Sequence, residues 1–231
     1  MKRVMKQMLS QNPDEKPEDA KPSQVKPAGL RERKREEKVG HILTASIAVF
    51  AEDGYSGFSM RKVAARADVR LNTIQHHFGD LDALLVATIR TMSDNYIDGF
   101  YPIADNRDLS ALERLEIIIE YLLRDVFKPE VTAFFAEAQS ASLHNQKIFA
   151  MMREAYARHL DMLARLVKEI DPTRADTEAH VLASMISAWI EGVGVTQRFT
   201  PGRSSSAGSV MVRIKAACLS LASNGKAVKD N

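Results

Sequence analysis

The segment that decides the fold runs from residue 50 to residue 80 and has the sequence FAEDGYSGFSMRKVAARADVRLNTIQHHFGD. Asp53-Gly54 predicts the end of a preceding helix, because glycine readily adopts the left-handed conformation found at helix C-termini. Ser59 suits the N-cap of a short helix that ends near Ala67. After a turn of about four residues, a second short helix is predicted over 72–78. Two short helices joined by a tight turn are typical of a DNA-binding helix-turn-helix.

The residues before this segment predict a longer helix. Their apolar positions recur every third or fourth residue, as on one face of an amphipathic helix. The positions on this face are Val39, Ile42, Leu43, Ser46, Ile47 and Phe50, with Ser46 the one polar member. A helix over 31–53 would complete a three-helix DNA-binding domain over 31–80, and Asp80 could cap the helix that follows.

Taken together, residues 50–80 resemble the signature of the TetR family of bacterial transcription regulators. The resemblance covers the end of helix one, the Gly54-Tyr55 turn, the helix-turn-helix and the Phe78-Gly79-Asp80 segment that precedes a fourth helix. It implies an all-α homodimer whose N-terminal domain binds operator DNA and whose C-terminal domain is regulatory. It also implies a repressor that a small effector releases from the operator.

A recognition helix places its N-terminal residues against base edges in the major groove. Arg70 suits guanine and Leu71 suits the thymine methyl group. Asn72 or Gln75 suits adenine. The predicted base contacts are Arg70, Leu71, Asn72, Gln75 and His76. The predicted phosphate contacts, which would orient the protein without reading sequence, are Arg33, Lys34, Ser59, Arg61, Thr73 and His77.

The segment departs from the commonest family pattern around the recognition helix. Arg70 stands where Ser or Thr often caps that helix, and Asn72 replaces a glycine. Gln75 and His77 replace the usual tyrosines, and Leu81 replaces a phosphate-contacting lysine. We therefore expect an operator sequence that cannot be taken from relatives, and one weaker backbone contact that Arg70 partly restores.

The rest of the chain predicts more helices and no strands, since no alternating apolar pattern bounded by hairpin turns occurs in it. The predicted helices span 31–53, 59–67, 72–78, 81–100, 109–127, 130–143, 146–170, 176–198 and 206–223. The expected fold is all-α, with a three-helix DNA-binding domain followed by a six-helix regulatory and dimerisation domain over 81–225. Residues 1–30, which combine prolines with mixed charges, predict a flexible arm, and 226–231 a tail.

The region 81–225 resembles the regulatory domain of the TetR family, and more weakly its BetI-type subgroup, around residues 134–137 and 153–156. The resemblance implies an effector pocket among helices four to seven. Bulky, adaptable and amphipathic side chains suit such a pocket. The candidates are Tyr96, Phe100, Phe134, Phe135, Gln139, Met151, Met152, Tyr156 and Trp189. Glu137 and Glu191 are further polar candidates, with Glu137 a counter-ion for a cationic effector.

The family resemblance also implies that the last two helices pair with those of a second copy. Residues 181–190 are apolar around most of a helix, so one face can pack within the chain and another against a partner. The predicted dimer interface consists of Met185, Trp189, Gly192, Val210, Ile214 and Cys218. A two-fold dimer would bind a palindromic operator with two half-sites.

Composition and charge limit the other functional classes. The chain has 231 residues and a formal net charge of +2, so DNA binding must depend on a local arrangement of charge. A single cysteine excludes an intramolecular disulfide and fits a reducing cytoplasm. Uninterrupted apolar runs stay shorter than the ~18 to 20 residues of a membrane span, and the N-terminus does not resemble a secretory signal. We expect a cytoplasmic protein without a membrane partner.

Other activities have little support in the sequence. The adjacent His76 and His77 point in different directions on a helix, which disfavours a shared metal site. Cys218 on an apolar stripe favours an inert side chain over a redox sensor. Motifs for phosphate loops, HExxH zinc sites and nucleophile elbows are missing, so no enzyme, cofactor or metal is expected.

One alternative stays open within the same fold. The protein could be a TetR-fold DNA-binding protein that a protein partner controls, or that acts without any ligand. A packed interior in the regulatory domain would favour this alternative. A solvent-sealed cavity there would argue against it.

Overall fold

The computed structural model describes residues 27–199 and 207–223. Every regular element in these two ranges is a helix, which confirms the predicted all-α fold. The helices are α1 (Pro27–Gly57), α2 (Met60–Arg66), α3 (Leu71–Phe78), α4 (Leu81–Asp98), α5 (Tyr101–Ala104), α6 (Ala111–Asp125), α7 (Pro129–Ser142), α8 (Gln146–Ile170), α9 (Asp176–Phe199) and α10 (Ala207–Ala222). Residues 27–30, assigned from sequence to the flexible arm, are the first residues of α1, and the rest of that arm and the tail lie outside the described residues.

The chain divides into two compact units, with the division between Met92 and Ser93. Helix α4 contributes its first residues to the first unit and its last residues to the second. The functional division predicted between residues 80 and 81 falls at the start of α4.

The first unit has a core built from the faces that the sequence periodicity indicates. Side chains with no exposed surface are Ile42, Phe50, Val63, Ile74, Leu84 and Ile89. Phe50 packs edge-to-face against Phe58, with ring centroids 5.8 Å apart. Ser59 caps α2 as predicted, since its hydroxyl accepts a hydrogen bond from the backbone N–H of Lys62 at 3.4 Å. Asp80 likewise accepts a hydrogen bond from the backbone N–H of Ala83 at 2.7 Å and caps α4.

The turns of the first unit use left-handed backbone conformations. Gly54, with φ 68° and ψ −176°, interrupts the regular conformation of α1 where the sequence predicts its end, although one further turn continues to Gly57. The turn between α2 and α3 passes through Asp68, whose φ is 49°. His41 Nε2 lies 2.9 Å from the carbonyl oxygen of Ala67, so α1 is tied to the start of this turn.

The one polar position on the buried face of α1 has a specific partner. Ser46 is fully buried, and its hydroxyl oxygen lies 2.6 Å from the hydroxyl oxygen of Thr88 in α4. The Thr88 hydroxyl donates to the carbonyl oxygen of Leu84 at 2.7 Å. Because a hydroxyl group has a single hydrogen, Ser46 must be the donor to Thr88.

Helix α8 is central in the second unit, where it packs against α6, α7 and α9. Its buried residues are Ile148, Met151, Met152, Ala155, Met162, Leu163, Ala164, Leu166 and Val167. Asn145 caps the helix by accepting hydrogen bonds from the backbone N–H groups of Lys147 and Ile148. This helix therefore provides the surface on which its neighbours assemble.

Two buried arginines fix connections in the second unit that the sequence did not predict. Arg114 is 3% exposed and donates to the carbonyl oxygen of Ala104 and to the carboxylate of Glu169, at 2.6 Å each. Ala104 ends α5, a one-turn helix in a stretch where we predicted only a break. Arg174 donates to the carbonyl oxygen of Ala222, at the end of α10, at 3.0 Å. Buried guanidinium groups need such partners because an unpaired buried charge is costly.

Helix α9 is the one helix in the described ranges that is long and apolar enough, by composition, to cross a membrane, with a mean hydropathy of 1.2 in its most apolar window. Of that window, 44% is buried inside the protein. Its buried residues pack against α8 and α6, and a core helix of this kind has the same composition.

Candidate functional site

The helix-turn-helix turns a polar edge of α3 toward solvent. The predicted base-contacting residues Arg70, Asn72, Gln75 and His76 are exposed, while Leu71, Thr73 and His77 are half-buried. Arg70 occupies the N-cap of α3 in an extended conformation and makes no side-chain capping hydrogen bond. Its guanidinium is therefore not used to hold the helix end. Ile74, on the opposite side of α3, is fully buried.

Of the four basic residues of the helix-turn-helix, two form ion pairs with acidic residues of α1. The paired residues are Lys62 with Asp53, at 3.0 Å, and Arg66 with Glu52. Arg61 and Arg70 are exposed and have no ion pair among the residues that the structure describes. The positive charge of these two residues is therefore available to an anionic partner, whereas that of the other two is largely balanced.

Helix α1 adds positive charge beside the recognition helix. Arg33 and Lys34, predicted as phosphate contacts, are both exposed. Burial lowers the pKa of His77, and the charges of His76, Arg35 and Lys38 lower it further. Arg35 and Lys38 therefore lie near His77, at the C-terminal end of α3.

The second unit contains a cavity of about 170 Å³ bounded by α4, α6, α7, α8 and α9. Six of the predicted effector residues line it: Tyr96, Phe135, Gln139, Met152, Tyr156 and Glu191. Phe100, Phe134 and Trp189 do not line it, and neither do Met151 or Glu137. Phe100 and Phe134 are 1% exposed and belong to the packed core. Adjacent positions on a helix point about 100° apart, which is why Phe135 faces the cavity and Phe134 does not.

A chain of hydrogen bonds joins α7, α8 and α9 at the cavity. Gln139 Nε2 donates to the Tyr156 hydroxyl at 3.0 Å, and that hydroxyl donates to the Glu191 carboxylate at 3.2 Å. Ser187 donates to the other carboxylate oxygen of Glu191, also at 3.2 Å. Gln139 and Glu191 are exposed cavity-lining residues, so this chain of bonds lies at the cavity opening.

Burial dominates the titration of the groups at this opening. Although Glu191 as a whole residue is exposed, desolvation of its carboxylate at the cavity raises its pKa, against the opposing effect of the hydrogen bonds from Ser187 and Tyr156. Burial and the charge of Glu191 also raise the pKa of Tyr156 to about 12, so its hydroxyl stays protonated and available as a donor.

Two further polar groups, Ser93 and His159, line the cavity. Ser93 is 2% exposed, and its hydroxyl oxygen has no hydrogen-bond partner in the described chain. Burial lowers the pKa of His159 to about 4, so the imidazole is neutral at pH 7. Sequence reasoning missed both residues. Helical periodicity places His159 on one face with Met152, Ala155 and Met162, but it does not show what that face meets.

Helix α9 exposes an apolar face on its side away from the core. Val181, Met185, Val195 and Phe199 are exposed by 57, 37, 54 and 75%. Gly192 lies on the same face, and a β-carbon there would meet no atom within 4 Å. Positions 181, 185, 188, 192, 195 and 199 follow the spacing of three and four residues that keeps side chains on one side of a helix.

The other residues predicted at the dimer interface are less accessible. Trp189, Val210 and Ile214 are half-buried. Cys218 is fully buried within its own chain and has no surface to offer a partner, contrary to its predicted place at the interface. Burial raises the pKa of its thiol to about 12. Among the described residues, no three His, Cys, Asp or Glu side chains cluster as metal ligands.

Two family models match this arrangement of a helix-turn-helix followed by a helical unit. The model described as bacterial regulatory proteins, tetR family, matches residues 42–88. The model described as BetI-type transcriptional repressor, C-terminal, matches residues 111–212. The chain belongs to the TetR family. It is therefore a helix-turn-helix transcriptional regulator of BetI-like type, as the sequence resemblance predicted.

Individual transcriptional regulators resemble the chain over most of its length. The regulator BetI of Burkholderia cenocepacia is 27% identical over 180 residues, covering 71% of this chain and 84% of the relative. A crystal structure of a transcriptional regulator from Pseudomonas aeruginosa PAO1 has a TM-score of 0.71 at 20% identity, covering 83% of this chain and 92% of that chain. A regulator from Saccharomonospora viridis, solved in complex with choline, has a TM-score of 0.65 at 22% identity, covering 78% and 94%.

Proposed function

We propose that this TetR-family protein is a ligand-responsive repressor in the cytoplasm. It binds a palindromic operator as a homodimer, and a small effector that enters the cavity of the second unit releases it. The observation that carries the DNA-binding part is the exposed edge of α3, where Arg70, Asn72 and Gln75 face solvent.

Sequence reading is expected to depend on the N-terminal half of α3. Arg70 has no ion pair among the described residues, and its guanidinium is a fork of donors that suits a guanine edge. Asn72 and Gln75 follow at helical spacing and can each form two hydrogen bonds to adenine. Arg61, unpaired in the described chain, would contact phosphate and strengthen binding without selecting sequence.

The exposed apolar face of α9 supports a homodimer. Val181, Met185 and Phe199 would leave a line of apolar surface in water if the chain were monomeric. Gly192 lies within this line and would allow two helices to approach closely. A two-fold pairing of α9 with its counterpart would bury the same face of both chains and present two recognition helices to successive major grooves.

The cavity supports control by a compact effector. Cavities of about 150 Å³ accommodate benzene, so a volume of about 170 Å³ suits a molecule of that size or slightly larger. Choline, the ligand of the S. viridis regulator, is also compact. Among the described lining residues Glu191 is the one carboxylate, with no Lys or Arg beside it, so the cavity favours a neutral or cationic effector over an anionic one.

Release is expected to follow from a shift in population between two dimer geometries. An effector that changes operator affinity tenfold needs a preference of about 1.4 kcal/mol for the geometry that does not bind the operator. The second candidate, a DNA-binding protein that a protein partner controls or that acts without a ligand, would be favoured by a packed interior, whereas the second unit contains a cavity that opens to solvent.

The test is a selection of random DNA duplexes by the purified protein, followed by titration of the enriched duplex with wild type and with the variant Arg70→Ala/Gln75→Ala. We expect an enriched palindrome that wild type binds tightly and the double variant does not, with little change in non-specific binding. An absence of any enriched sequence, or binding indifferent to the two substitutions, would refute sequence reading by α3.

Two neighbouring cations provide a matched control for the phosphate contacts. Arg61 and Lys62 are both exposed, but Lys62 already pairs with Asp53. Arg61→Ala is expected to weaken binding to all duplexes alike and to reduce the slope of log affinity against log salt by about one. Lys62→Ala is expected to change that slope by much less.

A further inference from the structure

We infer that Ser93 and His159 form a specificity subsite in the cavity, which binds an uncharged hydrogen-bonding group of the effector, a hydroxyl or a carbonyl. The inference rests on the proposed function, since it assigns the chemistry of a ligand to the proposed effector cavity. It would make the effector a compact molecule with an apolar body and a neutral polar group.

The first observation is the unsatisfied hydroxyl of Ser93. The residue is 2% exposed, lines the cavity, and its hydroxyl oxygen has no hydrogen-bond partner in the described chain. A buried hydroxyl without a partner is costly, and serine in a helix usually bonds to a carbonyl of the preceding turn. Thr132, which also lines the cavity, shows the usual arrangement, since its hydroxyl donates to backbone carbonyl oxygens of Val126 and Lys128.

The second observation is that His159 reaches the same cavity from another helix. Ser93 belongs to α4 and His159 to α8. The residues next to them, Asp94 and Arg158, form an ion pair that holds the two helices together at this level. Both polar groups therefore lie on the stretch where α4 and α8 face each other.

The charge state of the subsite selects an uncharged group. A neutral imidazole has one donor nitrogen and one acceptor nitrogen, and a serine hydroxyl can donate and accept. Together they complement a hydroxyl, or a carbonyl that accepts from both. A carboxylate would need a protonated histidine in a cavity without Lys or Arg, and would lie in the same cavity as the carboxylate of Glu191.

The test uses four probes that share one ring and differ in the polar group: benzyl alcohol, toluene, benzylamine and benzoate. Their affinities for the full-length protein are measured by NMR titration. Benzyl alcohol is expected to bind wild type about fivefold tighter than toluene, which is the effect of one neutral hydrogen bond. Benzoate is expected to bind more weakly than benzyl alcohol, and benzylamine no more tightly than benzyl alcohol.

Three variants locate the preference. Ser93→Ala and His159→Leu should each reduce the preference for benzyl alcohol over toluene to less than about twofold, while Thr132→Val should keep it because that hydroxyl is already bonded. Ser93→Ala should not lower the melting temperature, since it removes a buried group without a partner.

Each alternative outcome separates the subsite from the cavity. Equal affinities of wild type for benzyl alcohol and toluene, or a preference that survives in Ser93→Ala and His159→Leu, would overturn the subsite and leave the effector cavity in place. Tighter binding of benzylamine than of benzyl alcohol would also overturn it, in favour of a cation held by Glu191. A failure of all four probes to bind would overturn the cavity as an effector site, and the subsite with it.

Discussion

Gly194 of α9 lies against Val126 at the end of α6, so closely that a β-carbon on Gly194 would be 2.8 Å from the Val126 β-carbon and 3.0 Å from its carbonyl oxygen. Both residues line the cavity. The close approach of two backbones at this point therefore sets the distance between α6 and α9, and with it the width of the cavity. A glycine in a helix is less favourable than alanine, but here a side chain has no space.

Gly194→Ala is expected to destabilise the protein by about 1–3 kcal/mol, because the overpacked contact outweighs the better helix propensity of alanine. Gly40→Ala is the matched control, since a β-carbon at Gly40 meets no atom within 4 Å. That variant should be stabilised by up to about 1 kcal/mol. Urea unfolding of both variants checks the prediction, and a Gly194→Ala protein as stable as Gly40→Ala would contradict it.

The hydroxyl pair of Ser46 and Thr88 gives a second prediction. Thr88→Val leaves the buried Ser46 hydroxyl without its acceptor and should cost about 1–3 kcal/mol. Ser46→Ala should cost less, because Thr88 keeps its hydrogen bond to Leu84. The double variant should therefore lose less free energy of unfolding than the two single variants lose together. The difference is the interaction energy of the two hydroxyls, and it is obtained by unfolding wild type, both single variants and the double variant. Strict additivity would show that the two hydroxyls do not interact.

A third prediction concerns the pH dependence of stability. The pKa of His159 is about 4 in the folded protein, against an ordinary value of 6.5. Between these values the unfolded chain binds a proton that the folded protein does not, so stability is retained above the ordinary pKa and is lost as pH falls below it. The loss attributable to His159 should reach about 2 kcal/mol by about pH 5.

The comparison of wild type with His159→Leu isolates this effect. Each protein is compared with itself at about pH 7.5 and about pH 5, so that the cost of the substitution and the titration of other groups largely cancel. Wild type should lose about 2 kcal/mol more than the variant over this interval. An equal loss in both proteins would mean that the imidazole of His159 is not desolvated in the folded state.

The sequence alone predicted the helix ends that are fixed by a capping residue or a glycine. Ser59 and Asp80 cap the helices that they were predicted to cap, and Gly54 interrupts α1 where its left-handed conformation was expected. These features depend on residues within one turn of each other. The short helix α5 was not predicted, because Ala104 is held by Arg114, from a different helix.

The cavity shows where sequence periodicity stops being informative. Phe134 and Phe135 have the same side chain, yet only Phe135 lines the cavity. The difference depends on how α7 is turned about its own axis against the neighbouring helices. The residues of α7 alone do not determine this orientation. Ser93 and His159 were missed for a related reason, since a polar residue on a buried face gains meaning only when the facing helix is known.

The apolar face of α9 gives the last prediction. Met185 is 37% exposed and belongs to this face, so that Met185→Asp would introduce a buried charge into the proposed dimer. Sedimentation velocity is expected to show a dimer for wild type and a monomer for this variant, with operator binding weakened because the two half-sites are no longer bound together.

Leu143 is the matched control, since it is an apolar residue, 79% exposed, at the C-cap of α7 and not on α9. Leu143→Asp should leave both the sedimentation and the operator affinity unchanged. A Met185→Asp protein that remains dimeric would move the interface to another surface. A loss of the dimer in both variants would point to a general effect of added charge. Only an interface that contains α9 predicts that Met185→Asp disrupts the dimer while Leu143→Asp does not.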